Sequence, residues 1–143
     1  MKINLFVLCK NSLFIRRIEE ILYQEEIFLS DVCTNPDLAL TKFLSCSPVP
    51  DIILLDANWV NNGHSGFGLL SIFLNNTSAK VIMVTTFFKD YILKNAKREG
   101  AHGYIIKHVG SVDELADNIK AVYTGINQFD RLENIIKNNF GFN

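Results

Sequence analysis

The sequence predicts a doubly wound α/β domain: a five-stranded parallel sheet in (βα)5 order, with helices on both faces. Five short apolar runs alternate with helical patterns along the chain, which is how successive βαβ units read. Most of these runs are continuous rather than alternating in polarity, as expected for strands buried on both faces. With 143 residues, 48% of them hydrophobic and 20% charged, and a formal net charge of −1, the chain has the balance of one ordinary globular core.

The strands are expected at Ile3–Cys9, Phe28–Cys33, Ile52–Asp56, Val81–Thr85 and Gly103–Ile106. The first helix follows from Phe14, Ile18, Ile21 and Leu22 at i, i+4, i+7 and i+8, with Arg16, Arg17, Glu19 and Glu20 on the opposite side. The second opens at Asn35-Pro36-Asp37, a cap residue before a proline tolerated in a first turn, and continues through Leu38, Leu40 and Phe43. An Asn- and Gly-rich loop precedes the third, Phe67–Leu74, and the fourth runs from Asp90 to Glu99 before Gly100 stops it. Ser111 and Glu114 have the spacing of a capping box for the fifth, which Gly125 terminates. Phe129, Leu132, Ile135 and Ile136 then predict a sixth, short helix over Phe129–Lys137. No repeat or linker-like composition marks a boundary, so residues 1–126 are expected to form the domain and 127–143 a helical extension.

Several function classes are disfavoured by composition. Lys and Arg are scattered rather than striped, so nucleic-acid binding by this chain alone is not expected. MKINLFVLCKNSLF is a strand interrupted by Lys10 and Asn11, with no small-residue cleavage site. No apolar run reaches the roughly 18 residues of a membrane span, so a cytoplasmic protein is expected. Cys9, Cys33 and Cys46 are odd in number and lack CxxC spacing, which reads as reduced, buried thiols. His64, His102 and His108 show no ligand spacing, and no metal site is predicted from them. Gly63-His64-Ser65-Gly66-Phe67-Gly68 matches no phosphate-loop pattern and is expected to be a flexible loop.

In a doubly wound sheet, chemistry collects at the carboxyl ends of the strands. Those ends carry Cys9 and Lys10, then Asp56, then Thr85 and Thr86, and finally Lys107. The segments DIILLDAN, AKVIMVTTF and REGAHGYIIK resemble the response-regulator receiver family, with its CheY-like, flavodoxin-like fold, over about residues 3–126. The likeness is to receivers that precede a LuxR-type helix-turn-helix in NarL-like transcription factors. It implies that Asp56 stands at the phosphoacceptor position, Thr85 at the switch hydroxyl, Tyr104 at the switch aromatic and Lys107 at the invariant lysine. Each has a plainer reading beside it: a strand-end acid for Asp56, strand packing for Tyr104.

The departures from the family pattern are informative. Its receivers carry two adjacent acids that help bind magnesium, where this chain has Cys9-Lys10 within FVLCKNSLF. Val60 replaces the proline after the phosphoacceptor, the loop Asn61–Gly66 is longer than usual, and His108 follows Lys107. Asn58 matches a position that ligates metal through its backbone carbonyl. One carboxylate thus faces two ammonium groups, and magnesium, usually held by at least one or two carboxylates, is expected to bind weakly or not at all. Two unit charges about 4 Å apart interact by roughly 4 kcal/mol at an effective dielectric near 20, so Lys10 is a candidate counter-ion for Asp56, with a solvated lysine as the alternative. Trp59, beside Asp56, is a candidate cover or partner anchor.

The resulting expectation is an atypical receiver, not an enzyme and without a cofactor, that works through protein contacts or dimerisation. The resemblance places those contacts on the fourth helix, fifth strand and fifth helix, with Tyr91, Lys94, Lys97, Arg98, Tyr104, Asn118 and Tyr123 on that face. Two alternatives stay open: a working phosphoacceptor served by a histidine kinase, and the receiver half of a LuxR-type transcription factor continuing past Asn143.

Overall fold

Hydrophobic β-branched and aliphatic runs separated by capped helices give the order β1 (Ile3–Leu8), α1 (Ser12–Leu22), β2 (Ile27–Cys33), a 3-10 turn (Pro36–Leu38), α2 (Ala39–Leu44), β3 (Ile52–Asp56), β4 (Val60–Asn61), β5 (His64–Ser65), α3 (Gly66–Asn76), β6 (Lys80–Thr85), α4 (Asp90–Arg98), β7 (Gly103–Ile106) and α5 (Val112–Tyr123). The computed structural model describes residues 2–22, 25–58, 60–61, 64–86, 89–106, 112–126 and 129. Five parallel strands form one sheet in the order β2-β1-β3-β6-β7, the flavodoxin-like arrangement expected from the sequence.

The continuous apolar runs are explained by burial on both faces. Phe6 and Leu8, Ile53 and Leu55, Val81 and Met83, and Tyr104 and Ile106 turn to one side, under α2, α3 and α4. Leu5, Val7 and Cys9, Ile52 and Leu54, Ile82 and Val84, and Ile105 turn to the other, under α1 and α5. On the first side Phe6, Phe43 and Phe73 meet pairwise at 5.6, 6.3 and 5.6 Å between ring centroids. All three are fully buried, and truncating such a ring to alanine costs about 3–5 kcal/mol.

The helix signals act as expected at several ends. Asn35 accepts the Asp37 N–H at 3.0 Å, although the first turn after Pro36 is 3-10 rather than α. Gly100 and Gly125 adopt φ of 96° and 93°. At each the next N–H reaches back five residues, Ala101 to Ala96 and Ile126 to Ala121, both at 3.0 Å, so the last carbonyls are satisfied by a left-handed glycine cap. Ser111, and with it the capping box, lies outside the described residues. So does the predicted sixth helix apart from Phe129, which is buried against the α4 side of the core.

Two features differ from the sequence expectation. The segment after β3 is not a plain loop: β4 and β5 pair antiparallel, Val60 with Ser65 and Asn61 with His64. And β2 carries an irregularity, with Leu5 paired to Leu29 but Phe6 to Asp31, so Ser30 is the extra residue on this edge strand. Among the described residues, no helix is long and apolar enough to cross a membrane.

Candidate functional site

The carboxyl ends of β1, β3 and β6 bring Cys9, Asp56 and Thr85 to one edge of the sheet. Asp56 ends β3 and is half-buried. Its side chain makes an Asx-type turn: Oδ1 accepts the Asn58 N–H at 2.8 Å. From the β1 side the Cys9 thiol faces Oδ2 at 3.8 Å, and the Asn11 N–H lies on the same sulfur at 3.3 Å. Cys9 is only 2% exposed. Asn11 also starts α1, accepting the Phe14 N–H on Oδ1 at 3.0 Å, so the turn that carries Cys9 and Lys10 is held from within.

Among the described residues, the groups on the Asp56 carboxylate are the Asn58 amide and the Cys9 thiol. Strand alternation turns Cys9 in beneath α1 and α5, while Lys10, the next residue, is exposed just past the end of β1. Lys107, Trp59 and His108 lie outside the described residues.

Asp56 is linked to Thr85 through Asn58, a residue sequence reasoning noted only for its backbone carbonyl. Thr85 is fully buried, and its hydroxyl donates to Asn58 Oδ1 at 2.6 Å; the Thr86 N–H reaches the same oxygen at 3.4 Å. The D-x-N spacing is the signal that reads as an Asx turn. Its tie to β6 depends on a loop-to-strand contact that spacing does not encode.

Tyr104 lies on the same face of the sheet, two places from Thr85 in the β6–β7 register, and is 2% exposed. Its ring is part of the core, in line with the plainer reading of a strand aromatic as packing. Burial pushes its phenol up to about 12, an effect partly offset by hydrogen bonding with the neighbouring Thr85 hydroxyl.

Gly66, at the first turn of α3, is a second residue the sequence reading passed over. A Cβ there would lie 2.6 Å from the Asp56 carbonyl oxygen and 2.8 Å from the Ala57 Cα. The helix can start on the backbone of the Asp56 turn only because this residue has no side chain. Ser65 caps that start, accepting the Gly68 N–H at 3.0 Å.

This architecture recurs among known structures. RcsB, a response regulator from Salmonella typhimurium, superposes with a TM-score of 0.83 over 95% of this chain and 68% of its own, at 16% identity. The fold is that of a response-regulator receiver domain. A CheX–CheY complex from Borrelia burgdorferi with BeF3 and magnesium gives a TM-score of 0.72 at 21% identity, covering 85% of this chain and 89% of the matched one. By sequence, the transcriptional regulatory protein LnrK of Bacillus subtilis is 38% identical over 77 residues, 53% of this chain and 34% of that protein. This chain thus aligns with about a third of the curated relative's length. No family model matches the sequence.

Asp56 ends β3, Thr85 ends β6 and Tyr104 lies within β7. Of the expected contact face, Tyr91 is 61% exposed on α4, Lys94 pairs with Asp90 at 2.9 Å, and Lys97 and Arg98 are exposed. Asn118 and Tyr123 on α5 are half-buried, with Tyr123 packed against the α1–α5 core. His102 sits at the opposite end of the sheet, with Nδ1 accepting the Val81 N–H at 3.0 Å.

Proposed function

We propose that this chain is an atypical receiver in signal transduction, whose output passes through protein contacts or dimerisation on the α4–β7–α5 face rather than through magnesium-dependent phosphorylation of Asp56. The observation that carries this reading is the Cys9 thiol, buried and directed at Asp56 Oδ2. A receiver that uses magnesium needs hard oxygen donors on that side of the aspartate, and magnesium demands near-octahedral oxygen coordination. A protonated thiol is a poor ligand for so hard a cation, and Asp56 brings only one carboxylate. No cluster of three His, Cys, Asp or Glu side chains suited to a metal exists among the described residues. The donor set does not fit the ion, and no chemical step is assigned through it.

Calorimetric titration with magnesium tests this. Wild type is expected to give no saturable heat, and the Cys9→Asp/Lys10→Asp double variant to gain binding. Saturable binding by wild type, with Asp56→Asn abolishing it, would instead favour a working phosphoacceptor partnered by a histidine kinase.

A second reading is favoured by the curated relative, a transcriptional regulator about a third of whose length aligns with this chain. In that reading the domain is the receiver half of a LuxR-type regulator, and α4–β7–α5 addresses the rest of the same protein or a second copy.

A further inference from the structure

A second crevice lies at the amino ends of β6 and β7, at the far end of the sheet from Asp56, where α4 and α5 finish. Its volume is about 320 Å3, and it is lined by the polar Lys80, Lys97 and His102 and the apolar Val122, Ile126 and Phe129. That is the small end of the range for ligand pockets, which combine an apolar lining with a few placed polar groups. None of the described residues that line it is acidic.

The bonds that fix two of these polar groups also leave donors over. Lys80 gives two of its three ammonium protons to the Val122 and Tyr123 carbonyls at 3.1 and 3.3 Å, and a third remains. His102 accepts the Val81 N–H on Nδ1 at 3.0 Å, so the neutral ring carries its proton on Nε2, a second donor. Gly125 keeps the Lys80 ammonium uncovered, since a Cβ there would stand 4.0 Å from it. Val122 and Phe129 are buried, whereas Ile126 is 58% exposed and offers apolar surface at the same crevice.

We propose that this crevice binds a small organic acid, its carboxylate among Lys80, Lys97 and His102 and its apolar or aromatic body against Val122, Ile126 and Phe129. A bare inorganic anion would leave the apolar lining unused, and a neutral aromatic would leave the donors without an acceptor. Lys97 is in the last turn of α4, His102 immediately precedes β7, and Val122 is in the last turn of α5. A bound acid therefore ties together the three elements of the proposed contact face, with no group added to Asp56. The inference rests on the reading above only in taking α4–β7–α5 as the output face.

The test is methyl and imidazole NMR of the full chain titrated with benzoate, benzamide and inorganic phosphate. Benzoate is expected to shift the Val122 and Ile126 methyls and the His102 ring together, saturably and with one Kd. Benzamide, similar in size but uncharged, should bind about tenfold more weakly, because hydrogen bonds to a charged group are the stronger ones. Phosphate, which has no apolar body, should also bind more weakly than benzoate. Lys97→Glu, which puts an acid at the crevice, should weaken benzoate by about tenfold or more. Lys94→Glu, on the same helix but outside the lining, should leave its affinity unchanged. The absence of saturable benzoate shifts at these three residues in wild type would overturn the proposal even if a variant failed to fold. So would benzamide or phosphate binding as tightly as benzoate, or a loss in Lys94→Glu as large as that in Lys97→Glu. Phosphorylation of Asp56 in a separate assay would defeat the functional reading while leaving this site standing.

Discussion

At the amino ends of the strands, polar side chains are committed to the main chain. Asp51 Oδ2 accepts the Asn4 N–H at 2.9 Å, His102 Nδ1 accepts the Val81 N–H at 3.0 Å, and the Lys80 ammonium donates to the Val122 and Tyr123 carbonyls at 3.1 and 3.3 Å. At the carboxyl ends, about 13 Å away along β6 at about 3.3 Å per residue, the side chains turn to one another: thiol to carboxylate, hydroxyl to carboxamide. The amino end spends its polar groups on closing the fold. The carboxyl end keeps side-chain hydrogen bonds that can exchange partners without opening a strand, and that is where a signalling site can be built.

The comparison is most exposed at Asp51. Replacing it with alanine orphans the Asn4 N–H between two strands, and denaturant melts are expected to show a loss of about 1–3 kcal/mol. A loss no larger than that of Asp56→Ala would erase the difference between the two ends.

A smaller effect is expected from pH at His102, whose pKa is lowered first by burial and then by Lys80 from the ordinary 6.5. Its depressed folded value means that the unfolded chain binds the proton more readily. The stability it contributes is complete above about 6.5 and is lost as pH falls toward and through the folded value. Protonation also removes the acceptor of the Val81 N–H. Melts of wild type and His102→Gln between neutral and mildly acidic pH check this: the wild-type decline should be the steeper, and parallel curves would show the imidazole to be indifferent to protonation.

The smallest effect belongs to the carboxyl end. Lys10 is exposed, so solvent screens its charge, and the double-mutant cycle of Lys10→Met and Asp56→Ala should give a coupling below about 0.5 kcal/mol. A larger coupling would make Lys10 a desolvated internal counter-ion.

What the sequence made legible follows the same division. Continuous apolar runs placed β3 and β7 to the residue and the other sheet strands to within one, because two-sided burial leaves a periodicity signal that depends on few neighbours. Gly100 and Gly125 announced helix ends because a left-handed cap favours their residue type. The β4–β5 pairing was not legible, since a two-residue ladder carries no periodicity. Nor was the role of Gly66, which depends on a backbone 2.6 Å from its absent Cβ. At the site, the strand reading put Asp56 and Thr85 at the ends of β3 and β6 and Tyr104 within β7. It did not show that the Cys9 thiol faces Asp56, which follows from alternation along β1. The plainer reading of Tyr104, strand packing, agrees with its burial in the β6–β7 register.

The most direct test of the central claim is intact-mass analysis after incubation with acetyl phosphate and magnesium, wild type beside Asp56→Asn and the Cys9→Asp/Lys10→Asp variant. The expected result is no appreciable phosphoryl gain in wild type or Asp56→Asn, with a gain appearing when the two carboxylates are supplied. A stoichiometric gain of one phosphoryl group in wild type, abolished by Asp56→Asn, would contradict the account.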